Sequence, residues 1–273
     1  MTPPKDFLPE WFERELLYAS ARCREATAGN YTKAYETWRR NDNMLEIPRR
    51  LFAVKKDHLQ ILDMGCGNGY HLLSIYLKFG LHNCRLFGID MGELDIEFAN
   101  HLKRFMKIDA IEFKKETAEH TSFPDNTFDI ILCSEVLEHA PQPQQCLAEI
   151  RRILKPGGSA VFSTPNSDNL VARLGRILKK LSLRSEAPYS FSTEEGEHIS
   201  VKGVAEWTRL AMQQGLTVKK RLRGSPIWGG GDRYNHRRVF FALVVIADRM
   251  LDYLPLTINI SENVTYVATK PAD

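Results

Sequence analysis

A chain of 273 residues, 43% of them hydrophobic and 26% charged, holds enough apolar material for one well-buried α/β domain or two small ones, and its longest apolar run, 239–247, is far short of the roughly 20 residues that cross a bilayer. Lysine and arginine number 37 against 34 aspartates and glutamates, so no whole-chain field asks for nucleic acid, and DNA in particular is not expected as a partner. Five scattered cysteines without a C-x-x-C pair exclude a disulfide frame and the usual zinc spacing, and with no basic-then-apolar stretch at the start they point to a cytoplasmic protein with reduced thiols.

Residues 7–28 carry Trp11, Phe12, Leu16, Leu17 and Tyr18 at helical spacing, and Gly29-Asn30 ends that pattern. A second stretch, 31–40, places Tyr31, Tyr35 and Trp38 on one side before Arg39-Arg40, and 46–57 reads as a third helix. Residues 1–57 therefore form an N-terminal helical extension. The rest, 58–273, reads as one domain with an insertion at about 167–200.

That domain opens with Gln60-Ile-Leu-Asp-Met-Gly-Cys-Gly-Asn-Gly-Tyr70. An apolar strand ends in Asp63, three glycines follow at alternate positions, and a helical pattern begins. Such a turn brings backbone close to a ligand, with unpaired N–H groups and a partial positive charge behind it. Dinucleotide folds space their glycines G-x-G-x-x-G, whereas here position 70 is Tyr, which disfavours a nicotinamide oxidoreductase. The second strand, 84–90, ends in Asp90, where a carboxylate can accept both ribose hydroxyls of an adenosine.

A helix over 93–107, a strand over 110–114 and a strand over 128–133 follow. Then come Ser134-Glu-Val-Leu-Glu-His139, an amphipathic helix over 143–154, the turn Lys155-Pro-Gly-Gly158 and a strand over 159–164. The insertion holds basic residues (Arg173, Arg176, Lys179, Lys180, Arg184) and a polar loop over 190–196. A helix over 201–214, a strand over 216–222, a Gly-rich loop over 228–231, a helical pattern over 236–253 and a strand over 262–269 complete the chain. The run 239–247 suits a helix packed on the sheet better than a membrane-surface anchor, and leaves peripheral membrane contact open.

The glycine turn and the 123–139 segment resemble the first and fourth motifs of the class I S-adenosylmethionine (SAM) methyltransferases, and the core from 59 to 166 is similar to the type-11 domain of that family. The resemblance implies a Rossmann-like, doubly wound seven-stranded sheet, mostly parallel with one antiparallel strand, helices on both faces, and an N-terminal lid. It implies a SAM site built from Asp63, Gly65, Cys66, Gly67, Gly69, Asp90, Met91, Thr117, Ala118, Cys133 and Ser134. Thr117-Ala118 stands where the family often has Asp-Ala, so the adenine contact falls to the Thr117 hydroxyl, Glu116 or backbone.

Methyl transfer to a hydroxyl needs a base near neutrality. His139, just after the fourth strand, and His198, ahead of the helix after the insertion, are the candidates. Glu135, Glu138 and His139, at i, i+3 and i+4, fall on one face of a helical turn and with His198 would make a divalent-cation set. A similar Glu-x-x-Glu-His pattern occurs in small-RNA 2′-O-methyltransferases. The same pattern is common in type-11 domains without a metal, and none is expected here.

Residues 133–136 lack the Asn/Asp-Pro-Pro-aromatic motif of base-amino methyltransferases. The expected activity is O-methylation of a small molecule, lipid or sugar, with Lys219, Lys220, Arg221, Arg223, Arg233, Arg237 and Arg238 favouring an anionic acceptor. The competing readings are an RNA 2′-hydroxyl or protein methyltransferase, and a catalytically inactive SAM-binding regulatory or partner subunit.

Overall fold

Alternation of buried side chains along the strands sets the architecture. In β1 (Gln60–Met64), Ile61 belongs to one buried apolar cluster and its neighbour Leu62 to another, as expected when successive residues face opposite sides of a sheet covered on both faces. A computed structural model describes residues 39–53, 58–79, 84–170, 172–174, 177, 198–224 and 246–272. The expected helices over 7–28, the aromatic stripe before Arg39, the basic part of the insertion beyond residue 177, the 190–196 loop and the run 239–245 lie outside these residues.

Seven strands form one sheet in the order β3-β2-β1-β4-β5-β7-β6. Besides β1 these are β2 (Arg85–Asp90), β3 (Ile111–Lys115), β4 (Phe128–Ser134), β5 (Leu154–Pro165), β6 (Thr217–Arg223) and β7 (Asn263–Thr269). β1 pairs in parallel with both β2 and β4, Asp63 lying opposite Gly88 and Leu132. β7 runs antiparallel to both β5 and β6, so it is the single reversed strand.

The helices divide between the faces. Helix α1 (Glu46–Ala53) follows a helical stretch over 39–44. Met44 and Leu45, α2 (Tyr70–Phe79) through Leu72, Leu73 and Ile75, and α3 (Glu93–Phe105) through Ile96 and Ala99 cover one face. On the other face lie α4 (Pro143–Ile153), through Cys146, Leu147 and Ile150, and α5 (Val204–Gln213), through Val204, Trp207 and Ala211. Pro143 opens α4, where a missing N–H costs nothing. No described helix is long and apolar enough to cross a membrane.

Two local expectations change. The Lys155-Pro-Gly-Gly158 segment is not a separate turn but the irregular start of β5, whose register against β4 shifts between Phe128 and Ile130. The helical pattern before residue 253 ends as a segment of inverted polarity. Asp248 is fully buried, while Ile246, Met250 and Tyr253 on the opposite side are 58%, 67% and 87% exposed. Buried cations are the reason: Arg39 Nη1 lies 2.7 Å from Asp248 Oδ2, Arg223 Nη1 lies 2.7 Å from Asp248 Oδ1, and both guanidinium groups also reach Asp252.

Candidate functional site

Strands β1 and β4 are neighbours although their helices leave on opposite faces, which opens a crevice beyond their carboxyl ends, the place where open α/β sheets bind ligands. The glycine turn forms its floor. Gly65 and Cys66 both donate their N–H to the Ile89 carbonyl, at 2.8 and 2.9 Å, so the turn is pinned across β2. Gly65 has φ +74°, and a Cβ there would overlap the Val136 side chain. Gly67 also has positive φ, but a Cβ there would meet nothing within 4 Å, which makes this the open part of the turn.

Asp90, at the end of β2, is held by two backbone donors: Gly67 N–H on Oδ2 and Gly92 N–H on Oδ1, both at 2.8 Å. Each oxygen keeps a lone pair for a further donor. Met91 beside it is exposed, and Gly69 closes the turn by donating to the Cys66 carbonyl at 2.9 Å. Burial, with Asp63 and Asp90 nearby, pushes the Cys66 thiol up, so it packs as an inert apolar group. Cys133 is buried in the core and its thiol is likewise raised by burial.

The loop after β3 spends its polar side chains on itself. Thr117 Oγ1 donates to the His120 carbonyl at 3.3 Å, and the two Glu116 oxygens accept from Ser122 N–H and Oγ at 2.9 and 2.6 Å. Ala118 packs against the core.

After β4 the spacing argument and the structure part. Residues 135–139 form a turn, not a helix, closed by His139 N–H donating to the Val136 carbonyl at 3.0 Å. Glu135 is left-handed (φ +56°), and its carboxylate is not part of the group that Glu138 makes with the histidines. It accepts instead from Ser163 Oγ and Asn263 Nδ2, each at 2.8 Å, and faces Arg40 at 3.4 Å. Ser134 joins the same group through Ser163, their hydroxyls 3.1 Å apart.

Glu138, His139 and His198 do come together, with ligand atoms within 4.8 Å of one another. Ser200 brings the distant histidine in, donating its N–H to the Glu138 carbonyl at 2.9 Å and its hydroxyl to the Ala140 carbonyl at 3.1 Å. The two imidazole centroids are 4.7 Å apart. Burial, and then the neighbouring His139, hold the His198 pKa below the ordinary imidazole value, so this ring is neutral at pH 7 and able to accept a proton.

Glu138 is fully buried and neither carboxyl oxygen has a hydrogen-bond partner. Burial first, and repulsion from Glu135 second, push its pKa up to about 9. The group is thus protonated when folded and ionised when unfolded between its reference value of 4.5 and about 9. The unfolded chain binds fewer protons there, so stability falls as pH rises through that window, by at most roughly 1.4 kcal/mol per pH unit. Glu138→Gln is therefore expected to flatten the decline in melting temperature between pH 5 and 9, as measured by calorimetry in a pH series.

Of the basic residues expected near the acceptor, the four that are described are not gathered at the crevice. Arg223 is consumed by Asp248 and Asp252, and Lys219, Lys220 and Arg221 are exposed on edge strand β6, with β5 and β7 between it and β4. Charge on an exposed edge also discourages sheet-to-sheet association. Arg233, Arg237 and Arg238 lie outside the described residues. Sequence reasoning missed Asn41 and His71, which reach Asp63 as a chain of polar contacts. Their one signal was a histidine directly after the glycine turn, on a helix that otherwise reads as apolar.

A family model described as a methyltransferase domain matches residues 55–215. The ubiquinone biosynthesis O-methyltransferase of Pseudomonas putida (strain W619) is 34% identical over 167 residues, 59% of this chain and 65% of that protein. The tRNA U34 carboxymethyltransferase of Nautilia profundicola is 32% identical over 148 residues, 48% of this chain and 47% of that one. The chain covers less than two thirds of the length of these curated relatives. Among solved structures, phosphoethanolamine N-methyltransferase 2 of Haemonchus contortus in complex with SAM shares the fold with a TM-score of 0.56 at 17% identity, over 85% of this chain and 52% of that one.

Proposed function

We propose that this chain, which belongs to the methyltransferase-domain family, is a SAM-dependent methyltransferase that methylates a hydroxyl group of a small molecule in the crevice between β1 and β4. The observation that carries this reading is the His139–His198 pair, 4.7 Å apart at the end of β4, with His198 held neutral. When bound, SAM supplies a methyl group on a sulfonium that is already an activated leaving group. Aligning donor and acceptor is worth on the order of 7–11 kcal/mol, and that task falls to the residues around it.

In this reading Asp90 accepts the ribose hydroxyls, the open face at Gly67 admits the methionine part, and Asp63 takes its ammonium. His198 Nε2 or the His139 ring removes the acceptor's proton as the new C–O bond forms. Such a base typically contributes 10²–10⁴-fold, so His198→Ala should lower turnover by about 100-fold or more with little change in SAM binding.

One observation favours an added divalent cation: Glu138 is a buried carboxyl with no hydrogen-bond partner, beside two imidazoles. This donor set of one carboxylate and two imidazole nitrogens suits Mn²⁺, Zn²⁺ or Fe²⁺ better than Ca²⁺. A cation there would supply Lewis-acid polarisation of the acceptor oxygen, and Glu138, His139 and His198 would then hold it as ligands, in place of the base role given to the histidines above. Glu135 would stay outside, engaged by Ser163, Asn263 and Arg40.

The test is transfer of tritium from methyl-labelled SAM to fractionated cell extract, for the wild type and His198→Ala, with and without chelator. Label in a hydroxyl-bearing small molecule, lost in the variant, is the expected result. Label in RNA or protein would overturn the acceptor class, no label would indicate a binding subunit, and insensitivity to chelator would remove the cation.

A further inference from the structure

We propose that His71 is a positioning residue for the amino-acid end of SAM, and that through Asn41 it ties cofactor binding to the helical stretch over 39–44. The proposal rests on the cofactor reading above and goes beyond it. Asp63 is fully buried at the end of β1, and its Oδ1 has no hydrogen-bond partner. A buried acceptor left bare is costly, and the ammonium of an amino acid entering over the glycine turn would satisfy it.

The other oxygen is what fixes the direction of the first. Asp63 Oδ2 lies 3.3 Å from His71 Nδ1, and the far nitrogen of the same ring, Nε2, lies 3.4 Å from Asn41 Oδ1. Nδ1 donates to Asp63; a charged ring also donates from Nε2 to Asn41 Oδ1, and a neutral ring accepts at Nε2 from the Asn41 amide turned over, its oxygen and nitrogen exchanged. His71 stands in the first turn of α2, its side chain 13% exposed. It is thus held by the helix that the glycine turn starts and not by the ligand.

Asn41 does not act alone. Arg40 before it faces Glu135 at the end of β4, and Asn43 after it donates to the Arg223 carbonyl and toward Thr265 Oγ1, at 2.8 and 3.5 Å. One imidazole therefore joins the floor beneath the cofactor's amino-acid end to a stretch that also touches the acceptor side. Loss of the ring should be felt by ligands that carry the amino acid and not by the nucleoside half.

Two ligands separate these halves: S-adenosylhomocysteine, which has the amino acid, and 5′-methylthioadenosine, which lacks it. Calorimetric titration of the full chain with both is the experiment. His71→Leu is expected to weaken S-adenosylhomocysteine by about 10-fold or more and to leave methylthioadenosine within about 2-fold. His71→Asn, whose amide nitrogen stands near the place of Nδ1, should recover most of the loss, and Asn41→Ala should show a smaller loss of the same kind. Equal weakening of both ligands by His71→Leu, or no rescue by His71→Asn, would reduce His71 to a structural residue. Failure of the wild type to bind either ligand would instead remove the cofactor reading itself.

Discussion

Asp90→Ala is expected to weaken SAM, S-adenosylhomocysteine and 5′-methylthioadenosine alike, by about 100-fold. Two things go at once. The carboxylate that would accept the ribose hydroxyls is lost, and Gly67 and Gly92 lose the acceptor they share at 2.8 Å. Hydrogen bonds to a charged group are worth about 1.5–3 kcal/mol each, and about 1.4 kcal/mol is tenfold in affinity. The loss should be common to all adenosine ligands, which distinguishes it from a change at His71. Titration of the variant with the three ligands decides the matter: undiminished binding of methylthioadenosine would place the adenosine elsewhere.

The second large effect is on stability. Arg39 and Arg223 are buried with Asp248, and Asp252 completes the group at the surface side. Removing one member of such a set strands a charge, at a cost of about 3–5 kcal/mol, whereas the intact set adds little over apolar packing. Asp248→Ala leaves two guanidinium groups facing one partly exposed carboxylate. Its melting temperature should fall by roughly 10 °C, taking about 2–4 °C per kcal/mol for a domain of this size. Asp252→Ala, at a side chain 30% exposed, should cost clearly less. A differential scan of both variants against wild type checks the ordering, and equal small losses would mean that water reaches the cluster. Because Arg39 precedes Arg40 and Asn41 in one helical stretch, the damage should extend to their contacts with Glu135 and His71.

Much of the crevice was legible from local chemistry. Glycines at alternate positions suit a turn with φ > 0, and Gly65, Gly67 and Gly69 all adopt it. Asp90 closes β2, and Asp63 comes one residue before the end of β1. What spacing could not supply was the backbone state of Glu135. A non-glycine residue with φ +56° breaks the i, i+3, i+4 relation that a helix would have given Glu135, Glu138 and His139. The partners of Arg39 were equally hidden. Asp248 is distant in sequence, and nothing in the spacing around Arg39 marks it as a buried residue. His198 reaches His139 only through Ser200, a contact that neither residue type announces.

The position of β7 bears on how the molecule is made. The strand nearest the end of the chain lies inside the sheet, between β5 and β6. During synthesis the five parallel strands β1 to β5 can assemble as they emerge, but β6 has no neighbour to pair with until residue 269 has left the ribosome. Asn263, which opens β7, also supplies a hydrogen bond to Glu135. The nascent polypeptide thus carries the glycine turn and Asp90 well before Asn263 can complete the contacts of Glu135.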